Sequence, residues 1–367
     1  MKTIILNFTF LLFGASVLAQ TVHTVDNRPG TTAQFTSVQA AIDAASSGDF
    51  IYIHPSSVSY GNISIDKVMN LRGIGHGPEL ANGEFAQLEN IQLRRNSAIN
   101  TTASNSSFSG LSIRSISDLN EAPFSNILIQ NNRINSITMY QAYNFIIQGN
   151  HFLNTSGSEN INLFTTNHAN NLISHNIFVK SINTQINGII RGLISSDTFN
   201  NNLVVFSNTS NDKILFNGCN NPIVNNNILV FAANNTTAIA INSINNVNGN
   251  PISFQNCLTF AYGGQTIETL SGNDNLDNIN PQFVDIDSPE NPVFSYTKNY
   301  KLNAGSPAID AGSDGDDLGI YGQGFLFQMK GYPFDLPYPT SININNAVVE
   351  AGGTLEVVFK ANANVEN

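Results

Sequence analysis

Short runs in which apolar and polar residues alternate with a period of two recur along most of the chain, separated by Asn and Gly rather than by helix formers. Three of them read alike: "NILIQNNRI" at 126–134, "NFIIQGNHF" at 144–152 and "NNLISHNIF" at 170–178. The echo extends to a series, Asn132, Asn150, Asn176, Asn202, Asn227 and Asn256, spaced by 18, 26, 26, 25 and 29 residues. Two places after each stands an apolar residue: Ile134, Phe152, Phe178, Val204, Leu229 and Leu258. Three places before five of them stands another, namely Ile129, Ile147, Ile173, Phe199 and Val224; Ser253 breaks the rule, and Asn250 competes with Asn256 for the last place. Short β-branched strands at intervals of ~20 to 30 residues predict a solenoid, in which each repeat stacks on the one before. Each coil would hold two or three strands, with coils ~4.8 Å apart. The Asn is expected at the sharp turn between strands, in the left-handed backbone region, with its amide bonded to the Asn of the next coil.

Both ends carry different patterns. "FTSVQAAIDAASSGD" predicts an amphipathic helix from about Ser37 to Ala45, followed by "FIYIHP" as a first strand. A solenoid end exposes core and unpaired strand edges, and this helix would cap them. Past Gly324, "YPFDLPYPT" reads as a proline-rich connection and "SININNAVVEAGGTLEVVFKANA" as two strands joined at Gly352 and Gly353, too few residues for a core of their own. At the front, "MKTIILNFTFLLFGASVLA" has an early lysine, an apolar run and small residues before Gln20, the build of a secretory signal peptide. The expected division is therefore signal peptide 1–19, solenoid with cap 20–324 and extension 325–367, exported from the cell or held at its envelope. No later segment is apolar enough to cross a bilayer, so no transmembrane segment is expected after signal removal.

Composition sharpens the class. The 57 asparagines and a charged fraction of only 11% suit stacked strands better than surface helices. A formal net charge of −11 argues against nucleic acid, which needs a basic face. Cys219 and Cys257 fall at different phases of the repeat, which predicts two buried free thiols rather than a bridge.

The order of capping helix, "GDFIYIHP", "SYGNISI", "LRGIG" and Asn-punctuated coils resembles right-handed parallel β-helix proteins of the pectin lyase-like superfamily. The later "NPQFVD", "YKLNAGSPAIDAG" and "DDLGIYG" resemble the closing coils of its secreted bacterial members, those of Bacteroidetes type above all, so the likeness spans residues 22–322. It implies an all-β, right-handed parallel β-helix. It says little about chemistry, because members of such a fold differ in activity.

Superfamily lyases need a base and a cation beside a uronate carboxylate, and hydrolases need two carboxylates. From Asn126 to Phe260 the acids are Glu159, Asp197 and Asp212 and the cations Arg133, Lys180, Arg191 and Lys213, a poor stock for a carboxylate pair. Gly75-His76-Gly77 resembles a polygalacturonase motif, but the accompanying Asp motifs are missing, so a Gly-rich turn is the simpler reading; the absence of Trp removes the pectate-lyase signature. Arg95, Arg114, Arg133 and His151 follow at 19, 19 and 18 residues, one coil each, and would form a basic row for an anionic polysaccharide. Tyr140 and Tyr143, with Phe145, would supply stacking surface for sugars. Were the protein a lyase, as the resemblance allows, Arg133 or Lys180 would abstract the proton and Arg114 neutralise the carboxylate.

Late acids cluster at Asp310, Asp314, Asp316 and Asp317, where a structural calcium is one reading and turn-forming carboxylates the other; no other cofactor is expected. The function expected from these residues is a secreted or surface-associated β-helix binding a polysaccharide or another cell-surface component along its long face without catalysis. A uronate-polymer lyase and an adhesin or spacer are the alternatives.

Overall fold

The computed structural model describes residues 20–154, 159–164, 167–180, 188–207, 214–231, 246–247, 249–286, 294–344 and 348–363. The expected signal peptide lies outside the described residues. The chain forms an all-β parallel solenoid of about 8 turns.

The cap is where the sequence places it. A helix, Val38–Ala44, buries Val38, Ala41 and Ile42 on one side, the i, i+3, i+4 spacing of a single face. Ser37 starts it, its hydroxyl accepting from Ala40 N at 3.3 Å, and the helix packs on the first strands, Val22–Val25, Phe50–Ile53 and Asn62–Ile65.

Two large parallel sheets run the length of the coils. The first has eleven strands, from Val22–Val25 through Leu128–Gln130, Ile146–Gln148, Leu172–Ser174 and Ile223–Asn225 to Gly272–Asn273. Its inward residues stack in register: Phe108, Ile129, Ile147, Ile173, Phe199, Val224 and Phe254. The second sheet opens with Asn62–Ile65, followed by three seven-residue strands, Gln87–Leu93, Ser112–Asp118 and Arg133–Met139. In the last of these, Arg133 and Ile134 pair with His151–Asn154, and Ile137 to Met139 pair with Ile161–Leu163. The sheet therefore divides into two branches from this coil onward. One continues through Ile177–Lys180, Leu203–Phe206, Ile228–Phe231 and Leu258–Ala261; the other through Ile190–Arg191, Phe216–Asn217 and Asn246–Val247.

Inside the corner between the sheets runs the asparagine ladder. Asn176 Oδ1 accepts from Asn150 N and Nδ2 at 2.9 and 3.0 Å, while its Nδ2 donates to Ile147 O at 2.8 Å and Asn202 Oδ1 at 3.1 Å. The same bonds link Asn132 to Asn150 and Asn202 to Asn227, every one of these amides buried. Two expectations need correction. The left-handed backbone belongs not to the ladder residue but to the one before it: Asn131, Gly149, His175, Asn201 and Asn226 have φ of 55°, 68°, 54°, 51° and 58°. Turning the chain is thus the task of a residue whose side chain leaves the core, and satisfying buried amides that of its neighbour. The last coil is also shifted by one. Asn256 has φ 48°, and Cys257 occupies the ladder slot, 3.7 Å from Asn227 Nδ2, with its own N–H donating to Asn275 Oδ1 at 2.9 Å. The shift removes the anomaly at Ser253, since Phe254 now stands three places before the slot and Thr259 two places after it, in register with Leu229. Cys219 and Cys257 are both buried thiols that form no disulfide with each other, as their phases imply.

The C-terminal part of the solenoid carries a second core on its outside. Ile177, Val179, Leu203, Val205, Ile228, Val230 and Leu258 face away from the first core and are covered by Phe283, Ile286, Tyr300, Leu318, Ile320 and Phe327. Strands buried on both faces read as continuous apolar runs, which is why "LVVF" and "ILVF" lack alternation. The covering chain then returns toward the cap as a strap across successive turn positions. Ala311 O accepts from Asn256 Nδ2 (3.0 Å), Gly319 O from Asn201 Nδ2 (3.3 Å) and Tyr332 O from Asn131 Nδ2 (2.9 Å), and Arg72 pairs with Asp335 at 2.7 Å. Residues 325–336, which include the first part of the proline-rich connection, are therefore laid on the solenoid. Beyond them Pro337–Ile344 and Val357–Ala363 pair antiparallel, the first strand starting four residues before Ser341.

Candidate functional site

Parallel strands one coil apart place equivalent side chains ~4.8 Å from each other, close to the spacing at which aromatic rings stack. On the branch beginning with Ile161–Leu163 this happens at the surface. Tyr140 follows Met139 and Phe164 follows Leu163, which are paired residues, and the two rings stack with centroids 5.2 Å apart and planes at 14°. Phe164 is 47% exposed. Arg191, in register with Asn162, lays its guanidinium 5.6 Å from the centre of the Phe164 ring and 3.8 Å from Glu159 Oε1. The ledge is anchored below: Tyr140 N donates to Asp118 Oδ1 at 3.0 Å, and burial raises the Asp118 carboxyl above the usual carboxylate range. Two rings and a guanidinium at an open edge form a surface suited to the C–H face of a sugar ring and to an acidic substituent on it.

Of the residues singled out from sequence, only Tyr140 belongs to this ledge. Tyr143 stands in the next short strand, paired with Ser125, and Phe145 is a core residue, 1% exposed. Phe164 was missed and Arg191 was given no role. The spacing of 24 residues from Tyr140 to Phe164 is a coil length and was the available signal.

The basic row does not form. Arg133 is level with His151 and with Ser112, so Arg114 lies two positions further along its strand, where it pairs with Glu89 at 3.3 Å. Arg95 is past the end of the long strand, in a two-residue antiparallel ribbon, and donates to Asn100 Oδ1 at 3.1 Å. The equal spacing in sequence conceals unequal positions within each coil, because strand and corner lengths differ. His151 does point away from the first core, as its phase implies, but it is 0% exposed under Phe294, Tyr296 and Phe327. It cannot touch a polymer from there. Lys180 is 1% exposed, with Nζ 3.5 Å from Ile214 O, so the trio Arg133, Lys180 and Arg114 is not assembled at one accessible point.

His76, read from sequence as part of a simple turn, has an architectural place. It is fully buried, its N–H donates to Lys330 O at 2.7 Å, and its Nδ1 is 2.9 Å from Tyr296 Oη.

The late carboxylates serve their own turn. Asp317 Oδ1 accepts from Asp310 N at 3.2 Å, Asp314 Oδ1 from Asp316 N at 3.1 Å, and Asp314 Oδ2 from Gln323. Among the described residues no three or more His, Cys, Asp or Glu side chains are grouped closely enough to hold a metal ion. No protein-family model matches the chain, and no curated protein sequence matches it.

Proposed function

We propose that the protein binds an extended polysaccharide at the Tyr140–Phe164–Arg191 ledge and does no chemistry on it. The observation that carries this reading is the exposed stack of Tyr140 and Phe164 with a guanidinium against it. Support for binding without catalysis comes from the fate of the candidate lyase residues: Lys180 is buried, and Arg114 is turned to Glu89. Placement within the pectin lyase-like superfamily, with a right-handed coil and a bacterial source, is part of the same proposal and rests on the capping helix, the parallel coils and the closing motif; export rests on the signal-like sequence of residues 1–19.

An aromatic contact of this kind contributes about 1 to 2 kcal/mol, so Phe164→Ala should weaken binding roughly tenfold. Electrophoresis of the purified protein through gels loaded with pectate, alginate, glycosaminoglycans or neutral glucans tests it. Retardation on at least one polymer, reduced in Phe164→Ala, is expected. Lack of retardation on all of them leaves the adhesin or spacer reading, and release of ultraviolet-absorbing unsaturated products would replace binding with lyase activity.

A further inference from the structure

Three of the six histidines lie beneath one segment of chain, residues 294–336. His76 and His151 are fully buried, with ring centres 4.7 Å apart. Among the described residues only one of their four ring nitrogens, His76 Nδ1, has a hydrogen-bond partner, Tyr296 Oη; His76 Nε2 and both nitrogens of His151 have none there. Phe294, Tyr296 and Phe327 enclose His151, with centres at 5.0, 5.4 and 5.3 Å. One coil further on, His175 Nε2 is 3.2 Å from Gly322 O, and the His175 ring is 4.5 Å from that of Phe325. A buried imidazole without partners is tolerable only while uncharged, because a cation there has neither water nor an acceptor.

We propose that residues 294–336 form a pH-operated strap: neutral His76, His151 and His175 hold it against the coils, and their protonation in acid lifts it while the ladder-bearing coils stay folded.

The surrounding charges favour release. Arg133 faces His76 and His151 and opposes a second cation there. Glu79, beside Tyr296, is neutralised by Lys330 at 2.6 Å, and Arg72 by Asp335 at the far end of the strap. Lys301 sits over the Tyr321 ring, which in turn meets Phe327 edge-on. Against release, the Gly322 carbonyl and then Asp314 favour a charged His175, but its burial outweighs both. The rings around His151 would attract a cation, but loss of all water outweighs that attraction. Burial, then Arg133, pushes His76 down to about 3; burial pushes His175 down to about 4; and burial, His76 and Arg133 hold His151 well below the usual imidazole range.

Freed from the coils each imidazole returns to about 6.5. Docking is thus fully favoured above pH ~6.5 and weakens as pH falls through the interval down to ~4, because the lifted state binds the protons. At pH ~4.5 His76 alone shifts the equilibrium about a hundredfold toward release, and His175 adds a factor approaching that.

Hydrogen exchange of the full chain, read by mass spectrometry at about pH 7 and about pH 4.5 and normalised for intrinsic exchange rates, tests the strap directly. Peptides from 294–336 should lose protection at least a hundredfold in acid, while peptides containing Leu128–Gln130 and Leu172–Ser174 keep theirs. His151→Phe and His175→Gln, which cannot titrate, should each shrink the acid effect tenfold or more. Equal strap protection at both pH values overturns the proposal. So does simultaneous loss from strap and coils, or an acid effect of wild-type size in both variants.

Discussion

Replacing Asn176 by alanine removes four hydrogen bonds from the middle of the ladder: two donated, to Ile147 O and Asn202 Oδ1, and two accepted, from Asn150 N and Nδ2. Some of the partners are insured. Asn150 Nδ2 still reaches Ile129 O at 2.8 Å, and Asn202 Oδ1 still accepts from Asn176 N at 3.0 Å. The backbone N–H of Asn150 loses its acceptor inside the protein, and an orphaned buried donor costs about 1 to 3 kcal/mol. The other three lost bonds add about 1 kcal/mol each, giving a total of about 4 to 6 kcal/mol. Asn144→Gly is the matched control: its φ of 55° suits glycine, and its amide bonds to Asn126 and Asn170 are at the surface. There the expected loss is below about 1 kcal/mol. Equilibrium urea unfolding of both variants, compared by midpoint at unchanged slope, measures the difference. Equal losses in the two would refute the division of labour between buried ladder asparagines and asparagines that only turn the chain.

Three other outcomes follow from named contacts. Cys257→Asn should fit the ladder slot, accept from Asn227 Nδ2 and raise stability by about 1 kcal/mol in the same urea assay. Gly331→Ala should loosen the strap at neutral pH, since φ is 71° and a Cβ would collide with the His76 ring and with Asn131 O. Faster hydrogen exchange confined to the strap would show it, with a local cost of about 2 kcal/mol or more. Arg72→Ala, which removes a nearly buried guanidinium from Asp335, should free residues 332–336 to exchange without moving the unfolding midpoint of the coils.

The ladder was readable because every coil solves the same problem with the same residue, a buried amide bonded above and below. Its last step was misread for a local reason: Cys257 substitutes for the ladder Asn while Asn256, the turn residue, keeps its identity. His151 shows a different limit. Its phase could be counted from Asn150, but its burial depends on chain more than 140 residues later folding back over the sheet. A trace of that cover was present all the same, since alternation in "SIRSISD" gives way to unbroken apolar runs from Ile177 onward. The ledge was half legible. Tyr140 could be named, but Phe164 follows a connection of different length in each coil, so its register cannot be counted from the ladder and only its 24-residue spacing from Tyr140 pointed to it. Arg95, Arg114 and Arg133 erred in the opposite sense, equal in spacing but unequal in place.

The most direct measurement of the central claim is hydrogen exchange of the intact protein with and without oligosaccharides of the polymer that retards it. Binding at the ledge predicts protection in peptides covering 139–141, 159–164 and 190–192, and no change in them for Phe164→Ala. Protection elsewhere with these three segments unaffected would contradict the account.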